Sequence, residues 1–487
     1  MFRANAPFQR AVLVGAVAVV LSACAQMPAA KPDVQGVVAP TLGQPLAVVE
    51  ASPVALQTTQ RVTWVQHPGL RQSIAQALTH NRDLRVALAN IERARAQYGI
   101  TSAAQLPTVA ATAQGSRTRT AADLSSTGRP VITTQYTAQL AVTSFELDLW
   151  GRVRNLNEAA LQQFLQSEEN QRNVLITLVA DVTNAWLNLA ANQARLTLAR
   201  DTLTSREKAY QLTERIQQLG GTSGLVLAQN RITVETARGD VAAFTAQVAK
   251  DRNALEALVG SGLNTEWLPT ADTLRNDATA PAALLVLPAE LPSSLLLSRP
   301  DVRASEFNLQ ALSANVAAAR AALFPTISLS TSIGTGSREL DSLFGSGNGT
   351  WSFVPQIRWP IFDGGSARAA VDVAQANRDI AVAQYEKAIQ TAFREASDAL
   401  AERAQWQDRL AAQQAVVDAN ARAFQLSDAR FSAGVDNYLT VLDAQRSLYA
   451  AQQALIALRQ AEQANRVALW KVLGGNLAAD SGMSSQR

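Results

Sequence analysis

The chain has 487 residues and a mass of 51.9 kDa, enough for more than one domain of ordinary size. Apolar residues make up 47% and charged residues 17%, which excludes a disordered, collagen-like or polybasic chain. With 43 basic against 40 acidic residues the net charge is +3, a poor match for nucleic acid; one cysteine and two histidines, His67 and His80, exclude internal disulfides and Cys/His zinc clusters.

The N-terminus reads as a secretory signal over residues 1–23. Arg3 and Arg10 precede the apolar run Ala11–Leu21. As a helix that run covers about 16 Å, too short for the ~30 Å hydrocarbon core. Leu21-Ser22-Ala23-Cys24 follows and resembles the bacterial lipobox, in which the cysteine thiol takes a diacylglycerol and the new N-terminus is acylated. Cys24 is therefore the expected lipidation site. Several acyl chains would anchor firmly. Ala25, rather than Asp, after the cysteine resembles outer-membrane sorting. Residues 24–65 carry Pro28, Pro32, Pro40, Pro45 and Pro53 with little periodicity, and read as an extended tether.

Beyond the tether the sequence repeats itself. Asp83-Leu84-Arg85 matches Asp301-Val302-Arg303, and Leu106-Pro107-Thr108-Val109 matches Phe324-Pro325-Thr326-Ile327, both at an offset of 218. Gly151 matches Gly365, Gly220 matches Gly434, and Leu258-Val259-Gly260 matches Val472-Leu473-Gly474, all at 214. An insertion shorter by four residues explains the change. The expected organisation is a first copy over 66–262, a linker over 263–290, a second copy over 291–476 and a tail over 477–487.

Each copy offers a hairpin. Strands are predicted over about 106–118 and 134–147, and again over about 324–336 and 350–362. Tyr136, Ala138, Leu140 and Val142 alternate with polar neighbours; so do Ile327, Leu329, Thr331 and Ile333, and Trp351, Phe353, Pro355 and Ile357. Strands of about ten residues with one apolar and one polar face suit a transmembrane barrel, with Trp351 and Trp359 as interface aromatics. The loops Arg117–Thr133 and Ser337–Thr350 are polar, as hairpin tips should be. Four strands cannot close a barrel, and open edges in lipid leave backbone groups unsatisfied. Several chains must pool their strands: two give 8, three give 12, four give 16.

Each hairpin leads into a long helix. Gly151, Gly364 and Gly365 mark the strand-to-helix elbows. Residues 152–219 and 366–433 contain no Gly and no Pro, and each run of 68 residues would span about 100 Å as a helix. Leu175, Leu178, Val182, Trp186 and Leu189 step by three or four, and Leu442, Tyr449 and Ile456 by seven, as in coiled-coil seams. Gly220, Gly221 and Gly434 end these helices in tip turns. Return helices follow over 225–259 and 435–473, with Gly260 and Gly474 as C-caps.

The stretch from Phe431 to Leu448, Phe-Ser-Ala-Gly-Val-Asp-Asn-Tyr-Leu-Thr-Val-Leu-Asp-Ala-Gln-Arg-Ser-Leu, resembles the periplasmic-tip motif of TolC/OprM-type outer-membrane efflux lipoproteins of the NodT subfamily. The elbows Phe145–Arg154 and Pro360–Gly365, and Leu297-Ser298-Arg299-Pro300-Asp301-Val302-Arg303, are further matches. The resemblance implies a mainly α fold with membrane β: a trimer forming a 12-stranded outer-membrane β-barrel continued by an α-helical periplasmic barrel. It also implies a periplasmic adaptor protein and an inner-membrane pump of the resistance–nodulation–division type as partners. It makes Leu439, Asp443 and Arg446 the periplasmic gate: two narrow the closed end and Arg446 holds it by ion pairing. Asp443 lies four residues after Leu439, hence on one helix face. Where relatives place an acid near the first tip, this chain has Val226.

The function expected on these grounds is a passive duct exporting small molecules such as drugs. A type I protein-secretion duct and a solid coiled-coil scaffold are the alternatives, and the scaffold leaves the amphipathic strands unexplained. No phosphate loop, nucleophile elbow or metal cluster is present, so no catalytic residue, metal or cofactor is expected beyond the lipid on Cys24. Asp148 and Asp363 at the elbows read as turn and cap residues.

Overall fold

The computed structural model describes residues 65, 67–260, 262–274 and 294–475. The signal segment, Cys24, nearly all of the tether, most of the linker and the C-terminal tail lie outside the described residues. In the first copy, α1 (Pro68–His80) and α2 (Arg82–Ala103) lead into β1 (Val109–Thr120) and β2 (Val131–Glu146), then α3 (Arg152–Gln218) and α4 (Gly224–Val259). In the second, α5 (Ser294–Leu297) and α6 (Pro300–Ala321) lead into β3 (Thr326–Ser337) and β4 (Gly349–Arg358), then α7 (Ser366–Ser432) and α8 (Tyr438–Val472).

Packing does not follow the repeats. One compact unit holds Asn90–Glu168 with Ala304–Glu386; the other holds Glu169–Arg303 with the described residues before Asn90 and after Glu386. Each unit draws on both copies, because α3 and α7, of 67 residues each, are far longer than one core.

In the first unit the strands form one antiparallel sheet in the order β1-β2-β3-β4. Direct cross-strand partners share a face. Leu140 stands opposite Ala111 and Ile333, Ile333 opposite Trp351, and Ile327 opposite Ile357, so the predicted apolar sets make one continuous face. Gln139 opposite Thr112, and Ser332 opposite Ser352, belong to the polar face. β2 begins before the expected 134 because Val131, Ile132 and Thr133 pair with Thr120, Arg119 and Thr118; the first loop shrinks to residues 121–130. A bulge interrupts β2 between Val142 and Phe145. Ser144 adopts φ 54°, and its N–H donates to the Ser330 hydroxyl at 3.0 Å. The extra residue switches parity, which returns Phe145 to the apolar face opposite Leu329.

The elbows are fixed by side chains. Asp148 accepts from the N–H groups of Val153 (3.0 Å) and Arg154 (2.8 Å), capping α3. Arg152 forks onto Glu146 at 2.9 and 2.5 Å. Trp150 stacks on Phe324 and donates to the Pro325 carbonyl at 2.8 Å. Asp363 caps α7 through the N–H groups of Gly365 and Ala367. Those backbone bonds hold its carboxyl below the usual aspartate value. Gly151, Gly364 and Gly365 all have positive φ.

In the second unit the predicted α3 seam is buried throughout: Leu175, Leu178, Val182, Trp186 and Leu189 pack with Ile74, Leu255, Val259, Val467 and Trp470. His67 lies 4.7 Å from the Trp186 ring, whose N–H donates to the Trp267 carbonyl at 3.0 Å. Partial burial lowers the His67 pKa, and its ring packs at the edge of this core against Trp186. Arg299, in the motif before α6, is buried. It forks onto Asp301 at 3.0 and 2.7 Å, reaches Glu395 of α7 at 2.9 Å, and donates to the Val472 carbonyl at 3.4 Å.

Candidate functional site

The site is built on the tip turns of the second unit. Gly434 has φ 73°, a conformation costly for any side chain, and lets the Val435 N–H return to the Arg430 carbonyl at 2.9 Å. At the first tip Gly220 has φ 78°, and the Gly221 N–H donates to the Ile216 carbonyl at 2.9 Å. Ser223 and Asn437 then cap α4 and α8. Asn437 as N-cap delays the second return helix to Tyr438, three residues later than the sequence suggested.

Two interactions stiffen the second turn. Arg430 grips the Asp436 carboxylate at 2.6 and 2.9 Å, which raises its own pKa and lowers that of Asp436. Phe431 meets Tyr438 edge-on at 4.9 Å. Tyr438, Val441 and Leu442 form a small core with Phe424, Phe431, Ala209 of α3 and Val226 of α4. Val226 is thus a packing residue here, and an acid in its place would put charge against an apolar cluster.

The opposite face of α8 carries the predicted gate residues. Leu439 is 42% exposed, and the Asp443 and Arg446 side chains are 68% and 64% exposed. Asp443 and Arg446 form an ion pair one turn apart. The three side chains lie in a column at i, i+4 and i+7, on the face away from the core, and within the protomer that column is left uncovered.

Above this column lies a cluster that sequence reasoning missed. The Tyr449 hydroxyl donates to Asp240 of α4 at 3.1 Å, and the Arg206 guanidinium of α3 sits 5.4 Å from the Tyr449 ring centre. Arg206 is buried and donates to the Thr233 carbonyl at 3.0 Å. Burial, with the Asp240 charge, pushes the Tyr449 pKa up to about 12, and burial lowers that of Arg206. The cluster ties α8 to both α3 and α4, one turn beyond Arg446. The only signal for it was the place of Tyr449 in the heptad with Leu442 and Ile456.

A sheet with one apolar and one polar face, together with helices that reverse at glycine tips, defines the protomer of an outer-membrane channel. The chain belongs to the outer membrane efflux protein family, whose model matches residues 73–261 and 291–475. This is a family of outer-membrane channels, not of enzymes. The toluene efflux pump outer membrane protein TtgC of Pseudomonas putida is 45% identical over 420 residues, 86% of each chain. A solved membrane protein from Pseudomonas aeruginosa is 40% identical with a TM-score of 0.81, covering 88% of this chain and 99% of its own. The open-state outer membrane channel MtrE of Neisseria gonorrhoeae is 35% identical with a TM-score of 0.76, covering 88% and 95%. The chain is thus an outer-membrane component of an efflux system, located in the outer membrane and extending into the periplasm.

Proposed function

We propose that three copies of this chain form a passive duct for small apolar and amphipathic molecules, closed at its periplasmic tip by the α8 column and opened by its partners. The observation that carries this reading is the uncovered column Leu439, Asp443 and Arg446 on a helix whose other face is packed at Tyr438, Val441 and Leu442. Repeated about an axis, Leu439 makes an apolar ring and Asp443 an acidic one. Arg446 offsets the repulsion between the carboxylates. The sheet supports the same assembly: β1 and β4 are edge strands, which hydrocarbon does not tolerate, and three copies give a closed barrel of 12. The partners are a periplasmic adaptor and a resistance–nodulation–division pump. The chain performs no catalysis and carries no cofactor other than the lipid on Cys24. That a 45% identical relative is named for toluene efflux supports apolar cargo.

Conductance of the purified protein in a planar bilayer tests the gate. Arg446→Ala and Leu439→Ala should give larger or more frequent openings, and Asp443→Ala lower cation preference, with substitution of Ser447 as the control. If all conduct like the parent, the constriction lies elsewhere.

A further inference from the structure

Two charged residues stand on the apolar face of the sheet. Val109, Ala111, Ala113 and Gly115 of β1 share that face with Arg117 and Arg119, which stand opposite Thr134 and Ile132 of β2. Contact as well as alternation fixes this facing. Tyr136, opposite Gly115, lays its ring across that glycine, so that a Cβ there would stand 3.1 Å from two ring carbons. Both arginines are exposed. Among the described residues neither takes part in an ion pair. The acids at this end, Asp123, Glu339 and Asp341, belong to the hairpin loops, and no strand residue on the apolar face is acidic.

Position decides what such a pair can do. β1 starts a few residues after α2, so Arg117 and Arg119 lie at the hairpin end, away from the periplasmic helices. On the duct reading, on which this inference rests, that end reaches the outer leaflet. A lipid-facing arginine costs about 2–4 kcal/mol at the bilayer midplane and about 0–1 near the interface. The pair therefore sits at headgroup depth, with its stems on apolar surface and its guanidinium groups among the headgroups. Alternate residues on one strand face stand about 6.6 Å apart, twice the rise per residue. Each guanidinium can fork onto a phosphate. The Tyr136 ring lies at the boundary between acyl chains and polar headgroups, where tyrosine is enriched.

We propose that Arg117 and Arg119, with Tyr136 below them, form a binding site for a diphosphorylated glycolipid of the outer leaflet, of the lipid A class. Charge complementarity selects an anionic headgroup. The spacing of two cations on one face selects a ligand that offers more than one phosphate, and the sidedness of the hairpin selects the leaflet. A trimer carries three such sites on its lipid-facing surface.

Native mass spectrometry of the detergent-purified protein, titrated with diphosphoryl lipid A, monophosphoryl lipid A and phosphatidylglycerol, tests this. Diphosphoryl lipid A should bind at least about tenfold more tightly than either comparison lipid, and the R117Q/R119Q variant should lose about that factor. An excess of inorganic phosphate should not compete, and the loop variant R129Q/R338Q should bind like the parent. Equal binding by the parent and the R117Q/R119Q variant, or equal binding of phosphatidylglycerol by the parent, overturns the site. If the double variant does not assemble, R117Q and R119Q are read singly in the same way. Conductance of the same preparations separates the two claims: gate variants Arg446→Ala and Leu439→Ala that conduct while the parent shows no lipid selectivity sink only this inference, whereas gate variants that never conduct sink the duct.

Discussion

Replacing Ile333 by arginine should block assembly, while the same change one residue earlier should be tolerated. Ile333 is 66% exposed in the single chain and stands between Leu140 and Trp351 on the apolar face. Ser332 faces the other way, with its hydroxyl 2.7 Å from that of Ser352. An outward arginine near mid-strand costs about 2–4 kcal/mol per copy, hence about 6–12 kcal/mol in a trimer. Ser332→Arg forfeits one neutral hydrogen bond in a wet lumen, about 1 kcal/mol per copy and about 3 kcal/mol in all. The gap is at least about 3 kcal/mol, more than a hundredfold in an assembly equilibrium. The assay is the fraction of SDS-resistant oligomer in unheated outer-membrane samples. Ser332→Arg should retain most of it and Ile333→Arg little. Equal yields would refute the facing of β3, and with it the barrel.

Three other outcomes are expected. Arg299→Ala removes a buried guanidinium, but its partners Asp301 and Glu395 are partly exposed and rehydrate, so the loss should be about 1–2 kcal/mol in denaturant unfolding, with Arg299→Lys recovering only part. Tyr449→Phe should lower thermal stability at neutral pH by removing the bond to Asp240. Because burial and the Asp240 charge raise the folded pKa of Tyr449 from 10.0 to about 12, the parent's advantage over the variant is complete below pH 10 and shrinks as pH rises towards 12; an advantage that stays constant across that range contradicts the assignment. Mass spectrometry of the mature N-terminal peptide should find it starting at an acylated Cys24, and a free thiol or cleavage elsewhere would dismiss the lipid anchor.

Much of this molecule is written in local periodicity. The α3 seam was legible because burial selects apolar residues every three or four positions, and Leu175 to Leu189 obey that rule without interruption. The two faces of the sheet were legible for the same reason at period two. The bulge at Ser144 was not, since nothing in Val142-Thr143-Ser144-Phe145 announces a positive φ at a residue other than glycine. The column at Leu439, Asp443 and Arg446 could be placed on one helix face by spacing alone. The cluster of Arg206, Asp240 and Tyr449 could not, because it joins three helices and a hydroxyl–carboxylate pair 209 residues apart. Val226 shows the converse. Judged against a motif it reads as a missing acid; in its surroundings it is a hydrophobic contact.

The strand order also governs how the chain comes together in time. The seam between β2 and β3 joins opposite copies, and the Ser144 contact with Ser330 spans 186 residues. At synthesis rates of about 5–20 residues per second, the first hairpin waits roughly 10–40 s for its neighbour. Throughout that interval β2 presents an unpaired edge and an apolar face to an aqueous compartment, a template for wrong pairing. A nascent chain of this design needs an escort before it needs a membrane, and the loss of periplasmic holding factors should reduce its yield more than that of a channel whose neighbouring strands are all consecutive in sequence.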